Sequence, residues 1–187
     1  MIIHNCNHVY HKTHITMNAI ARTLSYRALE LRTYLYATLF VAANVLLPQL
    51  FHIAGIGGAV FIPILFFTLL AAVRYGAACG ATVALLSPLA SFALVGMPAA
   101  PVLWVLMIKG AAMVGMAALL VQPGRKATLW KVAAVAVGAQ IVGMALQGAL
   151  LDGFTTAWNA TAISWPGIAM QIAGVWAICK LTRQGAR

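Results

Sequence analysis

The chain has 187 residues, of which 63% are hydrophobic and 7% charged, and its mean hydropathy is +0.94. Soluble domains carry about 25% charged residues, so this composition excludes a water-soluble globular fold and points to an integral membrane protein. The formal net charge is +10, but the basic residues sit in short clusters between apolar runs, a placement that serves membrane topology and argues against nucleic-acid binding.

Residues 1–32 read as a cytoplasmic tail. It opens "MIIHNCNHVYHKTH", which is polar and has no apolar core, so it is not a secretory signal, and Met17 is an alternative start. His4, Cys6, His8, His11 and His14 are metal-ligand types. An unstructured tail explains them more simply, and no metal site is assigned. Residues 17–32 could form a helix on the inner interface, although their charges do not segregate to one face.

Six apolar runs approach the 17–25 residues that cross a bilayer. They are Tyr34–Leu50, Gly58–Val73 with Pro63 inside, Gly76–Val95 with Ser87-Pro88 inside, Pro101–Val121, Leu129–Leu151 and Ser164–Leu181. The spacing thus predicts an all-α, six-helix membrane bundle over residues 33–182 and a short tail at 183–187. Basic and non-basic connections alternate. Lys12, Arg22, Arg27 and Arg32 precede the first span, Arg74 follows the second, Arg125, Lys126 and Lys131 follow the fourth, and Lys180, Arg183 and Arg187 end the chain. The intervening connections, around "FHIAGIGG", "GMPAAP" and Asp152, carry no Lys or Arg. The positive-inside rule then places both termini in the cytoplasm of a multi-pass plasma-membrane protein.

Lys109 alone breaks the pattern. It lies about 12 Å below the outer end of its helix at 1.5 Å per residue. The only acidic residues are Glu30 and Asp152, neither inside another span, so no internal ion pair is available. Three explanations stay open: the side chain snorkels, it sits neutral, or its partner is an anion on a substrate. Other polar side chains cluster in the same outer half: Asn44 and His52 at the end of the first span, Ser87 and Ser91 in the third, Gln140 and Gln147 in the fifth, Gln171 in the sixth. Each can line an outward-facing pocket or simply hydrogen-bond between helices. Phe51, Trp104, Phe154, Trp158 and Trp165 mark the outer rim. Trp165 reads as an interface anchor, whereas Trp158, in the loop "DGFTTAWNATAISWPG", is either an anchor or part of a lid. The "AGIGG" connection could hinge as a gate.

Several chemistries find no support. Cys6, Cys79 and Cys179 are too few and too far apart for a disulfide framework. Ser87 or Ser91 with His52 lacks an acid to orient the histidine, so hydrolysis is not expected and the chain does not read as an enzyme. There is no G-x-x-x-x-G-K-[ST] phosphate loop, and no carboxylate within a span to carry protons.

"LPQLFHIAGIGG" and "AAVRYGAACGATVALLSPLASFALVGMP", followed by the helix that starts at Pro101, resemble the substrate-binding S components of energy-coupling factor (ECF) vitamin transporters over about residues 43–120. The resemblance implies a six-helix bundle that takes a vitamin or related metabolite from outside. It also implies a membrane coupling protein and a pair of cytoplasmic ATPases as partners, with ATP used by those partners and no cofactor in this chain. The alanine-rich A-x-x-x-A docking face common on the first helix of that family is not reproduced by Ala37, Ala42 and Ala43, while Ala71, Ala72, Ala77, Ala78 and Ala81 offer other small surfaces. Similar sequences tend to be acidic near the position of Lys109, so the resemblance implies an inverted charge and a different ligand preference here. The combined expectation is capture of a small anionic metabolite, with Lys109 pairing with the anion, Asn44, Ser87, Ser91, Gln140, Gln147 and Gln171 hydrogen-bonding it, and the loops near His52, Gly57 and Trp158 closing over it. A solitary transporter or channel, or a membrane assembly protein without a ligand, are the alternatives.

Overall fold

The computed structural model describes residues 31–53, 63–121, 127–151 and 153–184. These form seven α-helices: α1 Leu31–Ile53, α2 Pro63–Tyr75, α3 Ala77–Val95, α4 Ala100–Leu120, α5 Leu129–Leu150, α6 Phe154–Ile163 and α7 Trp165–Gln184. No strand occurs among the described residues.

Glycines with positive φ set three of the breaks. Gly76, at φ 99°, is the single residue between α2 and α3; its N–H donates to the Ala71 carbonyl at 3.1 Å, and its own carbonyl accepts from Gly80 at 3.0 Å. Gly96, at φ 72°, closes α3 by donating to the Phe92 carbonyl at 2.9 Å, the left-handed ending that a residue without Cβ adopts at no steric cost. Pro101 then lies in the first turn of α4, where its missing N–H would have had no helical partner.

Four helices, α1, α3, α4 and α5, are long and apolar enough to cross a membrane, and α6 with α7 forms a pair bent by 53° that passes the same test as one unit. α2 is apolar but has 13 residues, about 20 Å at 1.5 Å each, against a hydrocarbon thickness of about 30 Å. Of the run expected from Gly58 to Val73, the part from Pro63 on is described and is helical; residues 54–62, including the expected "AGIGG" gate, lie outside the described residues. A second departure from the sequence reading is α6: the stretch expected to be a loop is helical from Phe154 to Ile163. Gly153, at φ 80°, turns the chain into it, Ala157 is fully buried beneath it, and Thr161 and Ser164 donate back to the Ala157 and Ala160 carbonyls at 2.9 and 2.7 Å. Such back-bonding absorbs hydroxyls that would otherwise favour a turn.

The short helix α2 is central. It packs against α1, α3, α4 and α7, while the others neighbour one another in the order α1, α3, α4, α5, α7, and α6 leans on α5. Leucines point outward (Leu35, Leu39, Leu46, Leu85 and Leu86 are exposed), as suits a surface bathed in lipid, and the helix contacts use small residues. A Cβ on Gly80 would stand 2.7 Å from Ala72 Cβ and 2.8 Å from its Cα, and one on Gly110 would stand 2.9 Å from Ala84 Cβ. Where no hydrophobic drive separates helix from lipid, close approach of this kind supplies the dispersion energy that holds a bundle together. Gly80→Ala is expected to lower stability by about 1–3 kcal/mol, since α2 backbone must move. Gly115→Ala, where nothing lies within 4 Å, should leave it unchanged or slightly raised. Thermal unfolding in one detergent would compare the two.

The described basic residues outside Lys109 gather at one end. Arg32 and Lys131 lie in the first turns of α1 and α5, Arg74 in the last turn of α2, and Lys180 and Arg183 in the last two turns of α7. Aromatic rings accompany them: Arg74 lies 5.8 Å from the Tyr75 centroid, Lys131 5.7 Å from Trp130 and Lys180 5.0 Å from Trp176. Trp104, Phe154, Trp158 and Trp165 are exposed at the opposite end. This is the two-belt pattern of a membrane protein with its charge on one side. Residues 1–30, including the His-rich stretch and most of the expected interfacial helix, and Arg125, Lys126, Asp152 and 185–187 lie outside the described residues.

Candidate functional site: a buried polar layer

Five of the helices each bring a polar side chain to one level of the bundle. Asn44 comes from α1, Ser87 and Ser91 from α3, Lys109 from α4, Gln140 from α5 and Gln171 from α7, and none is more than 6% exposed. Their common level follows from direct contacts. Asn44 Nδ2 donates to Ser87 Oγ at 2.9 Å. Gly110, next to Lys109, packs on Ala84, one turn from Ser87. The carbon stem of Lys109 lies against Gly143, one turn from Gln140, and Phe66, near the start of α2, lies against Gly174, one turn from Gln171. At 1.5 Å per residue these side chains sit about 6–15 Å below the non-basic ends of their helices.

On the basic side of the layer the interior is mainly apolar, with Thr68 bonding back to the Ile64 carbonyl of its own helix. Leu65, Leu69, Val83, Met113, Val132, Val135 and Val175 are at most 2% exposed and belong to one cluster. The bundle is therefore divided along its axis into a dry half and a half that opens with a polar layer.

Lys109 is 6% exposed. Its stem crosses a notch left by the missing side chain of Gly143, so it runs between α4 and α5 rather than over a lipid-facing surface. Neither acidic residue of the chain falls among the described residues, and no ion pair to Lys109 occurs there. Gln140 is 3% exposed and both of its amide heteroatoms lack a hydrogen-bond partner, as does Asn44 Oδ1. A buried polar group left unsatisfied costs about 1–3 kcal/mol. A fold that keeps several of them at the level of a buried lysine concentrates unused hydrogen-bonding capacity there.

The remaining expected residues are placed differently. Gln147 is half-buried, one turn beyond Gly143 toward the non-basic end, on the α5 face that carries Gln140 and Gly143. Trp158 is 63% exposed on α6. With Met144, Phe154, Thr155 and Asn159 it lines an open cleft of about 400 Å³ between α5 and α6. Met144 follows Gly143, so this cleft and the notch that holds Lys109 lie on different faces of the same α5 turn, and the structure does not bring Trp158 to the layer. His52 is in the last turn of α1, and its side chain lies outside the described residues. Gly143, which receives the Lys109 stem, carries no sequence signal beyond being a small residue on the helix that follows the lysine's, and Thr155 and Asn159 line the cleft from a stretch whose composition predicts a loop.

Comparison with protein-family models, curated proteins and solved structures gives no match for this chain.

Proposed function

We propose that this chain is a substrate-capture subunit of an ECF-type importer, holding a small anionic vitamin or related metabolite at the polar layer within the membrane. The observation that carries the reading is Lys109: a lysine 94% buried, one turn from an unpartnered amide, with no carboxylate among the described residues. Ionisable residues inside a membrane are costly and face a partner, a cavity or a pathway. A bound anion would complete this one, and Gln140 and Gln147 stand one turn to either side of Gly143 to share it. The positive-inside rule, applied to the basic end, puts that end in the cytoplasm and the polar layer in the outer half, facing the source of a nutrient. The chain has no phosphate loop, so partner ATPases and a membrane coupling protein would drive release.

The test is mass spectrometry of small molecules retained by the purified protein, followed by uptake measured with and without the coupling protein and ATPases. An anionic metabolite that is retained, and enters cells only when the partners are present, is the expected result. Uptake without them would assign a solitary transporter, and retention of nothing would reduce the polar layer to interhelical glue.

A further inference from the structure

The cleft between α5 and α6 stands apart from the polar layer. It holds about 400 Å³ between Met144, Phe154 and Trp158, with Thr155 and Asn159 on its α6 wall. Clefts that bind small ligands measure about 300–1,000 Å³ and combine apolar walls with a few polar groups. The space follows from the course of α6, which is bent by 53° from α7. α6 leans on α5 where the Phe154 ring lies against Gly148 and Ala157 is buried. Its other large side chains, Trp158 and Ile163, are exposed, so the cleft opens on the outside of the bundle, where a membrane protein meets lipid.

The cleft is polar near the rim and apolar at depth. Thr155 follows the Gly153 turn by two residues, and Asn159 lies one turn further on the same face of α6. Thr161 and Ser164 spend their hydroxyls on α6 carbonyls, whereas the Thr155 and Asn159 side chains make no hydrogen bond among the described residues. Met144 lies seven residues before Leu151, the cap of α5, about 10 Å below the rim at 1.5 Å per residue. Charge has no part here. Among the described residues at this end the only Lys or Arg is Lys109, on another face of the α5 turn.

Size selects the occupant. A helix with its side chains is about 10–12 Å across, so two turns of one displace on the order of 1,000 Å³, more than twice the cleft. A single hydrocarbon chain is thin and flexible enough to enter, and it supplies the dispersion contacts that an unfilled groove lacks. We propose that the α5–α6 cleft is a specific site for a glycerolipid of the outer leaflet. One acyl chain lies along Met144, Phe154 and Trp158, and the ester carbonyls at the glycerol accept hydrogen bonds from the Thr155 hydroxyl and the Asn159 amide. The exposed indole of Trp158 beside these donors suits the interfacial depth of the esters. The site does not depend on the capture reading.

The test uses the full-length protein in phosphatidylcholine nanodiscs, doped with a phosphatidylcholine that carries a diazirine on one acyl chain. A second probe is its diether counterpart, which keeps chains and headgroup but has no carbonyl. After irradiation, mass spectrometry of the digest gives the label on residues 144–159 relative to that on Leu46 and Leu50, exposed in the outer half of α1. The diester is expected to label 144–159 at least fivefold above this reference, and the diether at least threefold less than the diester. The double variant Thr155→Val, Asn159→Leu alters two exposed positions with little change in size; its diester labelling should fall to the diether level with an unchanged unfolding midpoint. A phosphatidylglycerol diester should label as strongly as phosphatidylcholine, and Lys109→Met should label like wild type. Even labelling of both regions would mean annular lipid only. That result, equal labelling by diester and diether, wild-type labelling in the double variant, or a fivefold preference for phosphatidylglycerol would each overturn the inference.

Discussion

Lys109→Met is expected to make the protein more stable and to bind its metabolite at least tenfold more weakly. The two effects have one cause. A lysine at the centre of a membrane helix costs about 2.5–3.5 kcal/mol to insert, and Lys109 is buried with no carboxylate beside it among the described residues. Methionine fills a similar volume without the charge and has the flexibility to lie in the Gly143 notch. Its substitution should therefore raise stability by about 2–3 kcal/mol, less in Lys109→Ala, which leaves a void. Loss of the anion's partner weakens binding by at least about 1.4 kcal/mol, which is the stated tenfold. Thermal unfolding without metabolite, and binding of the retained molecule to both forms, would be measured side by side. If Lys109 were scaffold, held by bonds that the fold needs, the signs would reverse: lower stability and unaltered binding.

How far the sequence reached can be judged from particular residues. The apolar runs at Leu129–Leu150 and Ala77–Val95 end within a residue of where they were expected, because a bilayer demands long uninterrupted apolar helices and glycine or proline punctuates them. Asn44, Ser87, Ser91, Lys109, Gln140 and Gln171 are all buried as expected. In a span, a polar residue has few places to go but inward, so depth along the helix nearly fixes its surroundings. Membership of α6 was not legible. Its Thr, Asn and Ser content favours turns by local propensity, and the helix is stabilised by packing, with the Phe154 ring over Gly148 and Ala157 buried. Gly143 was hidden for a related reason. That a glycine on one helix accepts the side chain of a lysine on another depends on the rotation and register of the pair, which neither residue's own neighbours in the chain specify.

Gly143→Val tests that register directly. A side chain there would occupy the space of Lys109 Cγ, Cδ and Cε, so either the lysine is expelled from its notch or α4 and α5 separate. Overpacking of this kind costs about 1–3 kcal/mol, and metabolite binding should fall as far as it does in Lys109→Met, although no candidate ligand-contacting atom has been removed. The cost in stability is expected to shrink in a Lys109→Ala background, where the added methyls find room, giving a coupling of about 1–2 kcal/mol between the two positions. Gly138 provides the comparison within the same pair of helices. Its notch holds the thioether end of Met116 on the dry side of the layer, so Gly138→Val should lower stability and spare binding. If binding falls equally in both valine variants, the α4–α5 contact as a whole shapes the site. If only the Gly143 variant loses it, the position of one ammonium group does.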